Sequence, residues 1–286
     1  MNPLTAGSSN ASSGILSSLS SNQSLTNNIQ TQLSTNKKIL DPAQQGVVTR
    51  LSSQVTSYAA AHDNIAKAQN VLNVASTGLN SISSLLTQMQ DLANKASDAT
   101  MTASDALKLQ QTFAHLLTQI TSTANASQVD GKGLLSSGAG NMEIQTGLTS
   151  GDTTSITGVD STAANLIASS TIETSNGATS TAAASGVLDI STVNNAKAAV
   201  TALQTALDSV SASQSSIAAD QQALQTVDDQ DSSISQNLQN TIDTIQKPDA
   251  AALQMQLQDA NNQQSMNYYL INQMNQESQS VLTIFR

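Results

Sequence analysis

Between Ile65 and Met89 the chain places an apolar residue every third or fourth position without a miss: Ile65, Ala68, Leu72, Ala75, Leu79, Ile82, Leu86 and Met89. Such spacing keeps one narrow face of a helix turned toward a partner helix, which is the pattern of a coiled-coil seam. A second seam lies far along the chain, where Ala196, Leu203, Val210, Ile217, Leu224, Asp231, Leu238 and Ile245 recur at sevens. Asp231 alone in that series is polar. The two stripes predict two long helices that bury their faces against each other.

Weaker stripes flank this pair. Ile15, Leu16, Leu19, Leu25, Ile29 and Leu33 form an imperfect helical face among Ser, Asn and Gln, and the small polar residues 1–14 read as disordered. At the other end Leu253, Leu257, Ala260, Tyr268, Ile271, Met274, Val281 and Phe285 carry an apolar face into the terminal Leu282 and Ile284. Local signals set the boundaries. Asp41 and Pro42, with Gln44 behind them, start a helix, and Lys247-Pro248-Asp249 interrupts one. Thr102 with Asp105 opens a further helix lined by Leu109, Phe113, Leu116 and Ile120 as far as Ala124. Asp-Gly in VDGKGLL favours a positive φ and turns the chain. The alternation in NMEIQTGLTSGDTTSITGV reads as a β-hairpin. Residues 159–186 are mostly Ser, Thr, Ala, Asn and Gly and predict an exposed, poorly packed excursion.

The fold class that follows is mainly α: a long antiparallel coiled-coil bundle built from both chain ends, with a small β-hairpin region and a short polar central segment. The inner seam comprises Ile65, Leu72, Leu79, Ile82, Leu86 and Met89 against Leu203, Val210, Ile217, Leu224 and Leu238. Burying about ten such side chains at ~1.5–3 kcal/mol each offsets much of the ordering cost. The outer segments, 15–40 and 250–286, are short of charge pairs that would support an isolated helix. They are expected to order only when other copies of the chain cover them. Inter-subunit packing is therefore assigned to Leu19, Leu25, Ile29, Leu33, Tyr268, Ile271, Met274, Val281, Leu282, Ile284 and Phe285.

Composition supports thin helical packing over a thick core. Aromatic residues are 2% and charged residues 10%, with no Trp and no Cys. Without cysteine there is neither disulfide nor zinc-thiolate chemistry. The net charge of −10, with cations scattered except for Lys37-Lys38, argues against nucleic acid. No apolar run approaches the ~20 residues of a membrane span, and the opening residues lack the basic and apolar regions of a cleaved signal. Catalysis has little to hold: His62 and His115 fall on different helices, and the neighbours His62 and Asp63 do not face each other on a helix. No HExxH is present. Asp228, Asp229 and Asp231 lack the Gly and Glu of a calcium loop and read as a solvated helix kink. No catalytic, cofactor or metal site is predicted. Met89, Met255, Met266 and Met274 read as gap-filling contacts, and Tyr58, Tyr268 and Tyr269 are open between contacts within one chain and between chains.

Helical ends, interfacial stripes and a polar middle resemble bacterial flagellin. LSTNKKIL at 33–40 looks like the family's signature after its first helix, and ISSLLTQMQDLANKASD at 82–98 like the end of its long inner helix. DGKGLL at 130–135, MEIQTG at 142–147 and the closing SVLTIFR are similar to the turn, strand and ending that follow. The resemblance implies a subunit exported unfolded through the flagellar type III apparatus, which polymerises into an extracellular flagellar filament for motility. It divides the chain into an N-terminal filament-core helix (1–40, disordered in the monomer), an inner bundle with hairpin (41–147), a variable surface segment (148–190), the return helix (191–247) and a C-terminal filament-core helix (248–286). The partners implied are further copies of the chain, an export chaperone, and filament-cap and hook-junction proteins. Thr35, Asn36 and Lys37 stand where the signature usually has Ser-Gly and Arg. Gln88 and Gln90 replace arginines that relatives use for recognition by the animal innate receptor, so strong receptor activation is not implied. Two alternatives remain open, the hook-filament junction protein and a non-flagellar coiled-coil adhesin.

Overall fold

The computed structural model describes residues 3–168 and 188–284, with side chains from Ser13 to Ser280 within those ranges apart from positions 168 and 278. The described chain is mainly helical, with two small two-stranded sheets. It divides into two compact units. One contains the residues up to Ser53 and from Asn237 onward, and the other contains Gln54–Gln236.

In the first unit helix α1 spans Pro3–Thr35 and helix α6 spans Ala250–Ile284. The beginning of helix α2 (Pro42–Ala96) and the end of helix α5 (Val193–Gln246) also belong here. Helix α1 already runs through residues 3–14, where the polar composition reads as disorder. Ser, Asn and Ala are tolerated in a helix at a cost of a few tenths of a kcal/mol each, so their polarity alone does not end one. Asn36 ends α1 with a φ of 52, a left-handed conformation that Asn adopts more readily than other non-glycine residues. The start of α2 is built as the sequence indicates: Pro42 occupies the first helical position, and the Gln44 N–H donates to Asp41 Oδ1 at 2.7 Å. Asp249 caps α6 in the same manner, its Oδ1 accepting from the N–H groups of Ala251 and Ala252 at 3.1 Å. The Lys38 N–H donates to the Gln246 carbonyl at 2.7 Å.

The second unit holds the main core. Ile65, Leu72, Leu79, Ile82, Leu86 and Met89 on α2 are fully buried, as are Leu203 and Leu224 on α5, with Val210 and Ile217 nearly so. Leu238 falls in the other unit and is half-buried. A row of side-chain amides flanks this seam. Gln69 donates to Gln225, Gln221 to Asn73, Gln214 to Asn80 and Gln90 to Gln204, at 2.9–3.5 Å. As the residue number rises on α2 the partner's number falls on α5, so the two helices run antiparallel in one register. These flanking positions commonly carry charge pairs in coiled coils; here neutral amides take them.

Helix α3 (Ala103–Ala126) adds Phe113, Leu117, Ile120 and Ala124 to the core. Its N-cap is Thr102, whose Oγ1 accepts the Asp105 N–H at 3.2 Å. Strands β1 (Gln128–Val129) and β2 (Lys132–Gly133) then form a hairpin over Asp130-Gly131. Both turn residues have positive φ, 50 and 74, as a two-residue primed turn requires. The tightest approach is at Gly78 in the middle of α2. A Cβ there would lie 2.8 Å from Leu135 Cδ1 and 2.9 Å from Ser127 Cβ, so a side chain at this position would push both away from α2.

Strands β3 (Met142–Gln145) and β4 (Thr153–Ile156) pair antiparallel, Met142 opposite Ile156 and Gln145 opposite Thr153. Ile144 and Ile156 face the core. The first part of the excursion expected over 159–186 is packed against the core instead. Ser161, Thr162, Ala163, Leu166 and Ile167 are buried, the last three on or in the short helix α4 (Ala163–Ala168), as are Leu188 and Ile190. The reason is backbone pairing: the N–H groups of Val159 and Ser161 donate to the carbonyls of Leu134 and Leu135 at 2.6 and 2.9 Å. Gln110 holds the other edge, accepting from the Ile190 N–H at 2.7 Å. Residues 169–186, the rest of that expectation, lie outside the described residues.

Candidate assembly surface

The surface in question is built on α1 and α6, which pair antiparallel within the first unit. Asn22 Nδ2 donates to the Ala260 carbonyl at 3.0 Å, Gln264 to Gln23 at 3.0 Å and Asn267 to Ser18 at 3.3 Å. The face that α1 buries runs through Asn22, Thr26 and Ile29, a helical spacing of four and three. Two of those three residues are polar, and the matching buried residue on α6 is Ala260. A seam of this kind gains little from removal of apolar area. Its hydrogen bonds replace bonds to water and contribute ~0.5–1.5 kcal/mol each.

Several large apolar residues of the same helices face solvent instead. Leu16 and Leu25 are exposed on α1, and Met255, Met266, Tyr268, Tyr269 and Leu270 are exposed on α6. Among the described residues, all the exposed large hydrophobics except Leu107 and Leu148 fall in this unit. Met255 and Met266 therefore do not fill gaps within the chain, whereas Met89 does. Tyr58 is half-buried, and Tyr268 and Tyr269 are 51% and 69% exposed.

The residues assigned from sequence to inter-subunit packing separate into three groups. Leu25 and Tyr268 are open to solvent, and Leu19, Leu33, Ile271 and Met274 are half-buried. Ile29 is 1% exposed in the single chain and already covered, so it belongs to the intra-chain seam and cannot serve a neighbour. That corrects its assignment: an apolar residue on a weak stripe can be satisfied by the chain's own second terminus. Phe285 lies outside the described residues. Val281, Leu282 and Ile284 lie in α6, but their side chains lie outside what is described. Sequence reasoning missed Asn22 and Thr26, whose one signal is their helical spacing to Ile29.

The acidic run differs from a solvated kink. Helix α5 passes through Asp228, Asp229 and Asp231 without interruption, and Asp231 is buried. Asp228 Oδ1 lies 2.5 Å from His62 Nδ1, so the histidine pairs across to α5 and not with the adjacent Asp63. His115 is exposed on α3. Among the described residues no three His or acidic side chains come together in a way that could hold a metal ion, and no helix is long and apolar enough to cross a membrane.

Comparison with known proteins follows these elements. No curated protein sequence matches the chain. Among solved structures it is similar to the crystal structure of Bacillus cereus flagellin, at 23% identity over 63% of this chain and 88% of that one, with a TM-score of 0.43. It is also similar to FliC from Burkholderia pseudomallei, at 20% identity over 54% of this chain and 98% of that one, with a TM-score of 0.44. The family model of the bacterial flagellin N-terminal helical region matches residues 8–140. That stretch takes in most of α1, all of α2 and α3, and the β1–β2 hairpin, and over it the chain is similar to the bacterial flagellin N-terminal helical region.

Proposed function

We propose that this chain is a structural subunit that polymerises into the bacterial flagellar filament. The reading is carried by the outer unit, in which a largely polar seam joins α1 to α6 while Leu16, Leu25, Met266, Tyr268, Tyr269 and Leu270 face solvent. Soluble monomers seldom cluster large apolar residues in one exposed region without a partner to cover them. Further copies of the same chain are that partner, and the match of residues 8–140 to the flagellin N-terminal helical region supports this choice.

On this reading 1–40 and 248–286 form the filament core, with Leu19, Leu25, Leu33, Tyr268, Ile271, Met274, Val281, Leu282, Ile284 and Phe285 between subunits. Residues 41–147 and 191–247 form the inner bundle, which Ile156, Ala163, Leu166, Ile167, Leu188 and Ile190 of the 148–190 segment join. Catalysis has no part in the function. The filament is extracellular, and export chaperone, cap and hook-junction proteins are the transient partners. Negative-stain electron microscopy of the purified full chain tests the reading directly. Long tubes are the expected product; short rings would point to the hook-filament junction protein, and isolated rods to an adhesin. A chain shortened to residues 41–247 is expected to stay monomeric, and tubes from it as readily as from the whole chain would refute the role of the outer helices.

A further inference from the structure

Along α5 the seam passes from Leu224 toward Leu238 through Asp231, which is 5% exposed and whose Oδ2 has no hydrogen-bond partner. A buried carboxylate without a partner is costly when ionised and takes up a proton more readily. One turn earlier, Asp228 pairs with His62 Nδ1 of α2 at 2.5 Å. The carboxylate only accepts, so the histidine nitrogen carries the hydrogen.

The charges around this layer come from three elements. Helix α2 brings His62 and Asp63, α5 brings Asp228 and Asp229, and the β3–β4 turn brings Asp152. Asp229 is held by Gln225 Nε2 at 3.0 Å, and Asp152 accepts the Thr149 N–H at 2.9 Å, which keeps its carboxyl below the usual range. Of these groups only His62 can be positive. Burial first, and then the negative charges of Asp228 and Asp152, push the Asp231 carboxyl up. The hydrogen bond to Asp228 first, and then its charge, push the His62 imidazole up.

We propose that His62, Asp228 and Asp231 form a proton-operated latch between α2 and α5 within the second unit, closed when His62 and Asp231 both hold a proton and loosened when either is lost. Both groups bind protons more tightly folded than unfolded. Their added stability is therefore fully present below the unfolded pKa and is lost as pH rises through the folded one. For Asp231 the loss begins above 3.8 and for His62 above 6.5, so the latch opens in two steps. Each released proton steepens local opening by at most about tenfold per pH unit. The latch acts within a single chain and does not depend on filament formation.

Amide hydrogen exchange of the full-length monomer over residues 58–66 and 227–235, from pH 3.5 to 8.5 and corrected for intrinsic exchange, tests the proposal. Wild-type protection is expected to fall in two steps. Asp231→Asn removes the lower step and leaves protection at pH 8 equal to or above wild type, while His62→Gln removes the upper step alone. Identical profiles in all three proteins, protection that rises with pH, or an Asp231→Asn protein less protected at every pH would overturn it. Should either variant fail to fold, proton NMR of His62 in the wild type decides: a titration midpoint above 6.5 is expected, and one at or below 6.5 removes the latch.

Discussion

Replacing Tyr268 by Ala tests the proposal that the exposed face of α6 is a contact between subunits. Tyr268 is 51% exposed on α6. An aromatic side chain buries ~150–250 Å² in full, so about 100 Å² of Tyr268 remains for a neighbouring subunit. At ~25 cal/mol per Å² that area is worth at most roughly 2.5 kcal/mol, and about 1–2 kcal/mol once the hydroxyl and the residual alanine methyl are discounted. Since ~1.4 kcal/mol is a factor of ten in a dissociation constant, the critical concentration for polymerisation should rise roughly 5- to 30-fold. Sedimentation of polymer from monomer across a dilution series measures it. The monomer should be unchanged by circular dichroism, because alanine is the better helix former. Ile29→Ala is the opposite control. That side chain is 1% exposed in the single chain, and its truncation should cost ~2–5 kcal/mol of monomer stability. A Tyr268→Ala protein that polymerises at the wild-type critical concentration would refute the assignment of this face to subunit contact.

Four further outcomes follow from the same structure. Gly78→Ala places a methyl 2.8 Å from Leu135 Cδ1 and should lower the thermal stability of the inner bundle by about 1–3 kcal/mol despite the gain in helix propensity; an unchanged melting temperature would contradict the close approach. With a net charge of −10, addition of salt should lower the critical concentration by screening repulsion, and slower assembly in salt, followed by light scattering, would count against it. Asp105 is held below its usual range by its hydrogen bonds to Thr102 and then Lys108. The stability it lends the start of α3 is present above 3.8 and is lost as pH falls through the lower folded value, so Asp105→Asn should flatten acid unfolding read by circular dichroism. In monomer hydrogen exchange, α1 and α6 should be less protected than residues 65–90 and 196–224, and equal protection would show that the polar outer seam is stronger than its composition allows.

Legibility differed between the units for a physical reason. The inner seam was plain in the sequence because each of Ile65, Leu72, Leu79, Ile82 and Leu86 is apolar and fully buried, so the periodicity of hydrophobicity and the periodicity of burial coincide. Helix starts at Pro42 and after Thr102 were equally plain, since capping is local chemistry. On α1 the two periodicities part: Leu16 and Leu25 are apolar and exposed, while Asn22 and Thr26 are polar and buried. Reading burial from hydrophobicity therefore rotates that helix wrongly about its axis. The segment after β4 failed differently. Its burial depends on pairing of Val159 and Ser161 with Leu134 and Leu135, a contact between distant residues that small polar side chains neither require nor announce. Asp231 looked solvated for the same reason, because its burial depends on residues distant in sequence and one of the charges acting on it, Asp152, comes from the β3–β4 turn.

The inversion on the outer helices also bears on how assembly is controlled. A helix pair joined by Leu against Leu would be satisfied in the monomer and leave little to gain from neighbours. The α1–α6 seam buries Asn22, Thr26 and Ala260 beside Ile29, and the polar members, with Asn22 donating to the Ala260 carbonyl, remove little apolar area from water. Leu16, Leu25, Met266, Tyr268, Tyr269 and Leu270 are held on the solvent side, where full burial of each is worth ~1.5–3 kcal/mol. The free-energy difference between monomer and assembly is thereby concentrated in contacts with other copies. The inner bundle, whose seam is closed within the chain, contributes nearly the same stability to both states. Conservative changes in the inner seam should therefore alter monomer folding and leave the critical concentration almost untouched, while changes at Leu25 or Tyr269 should do the reverse.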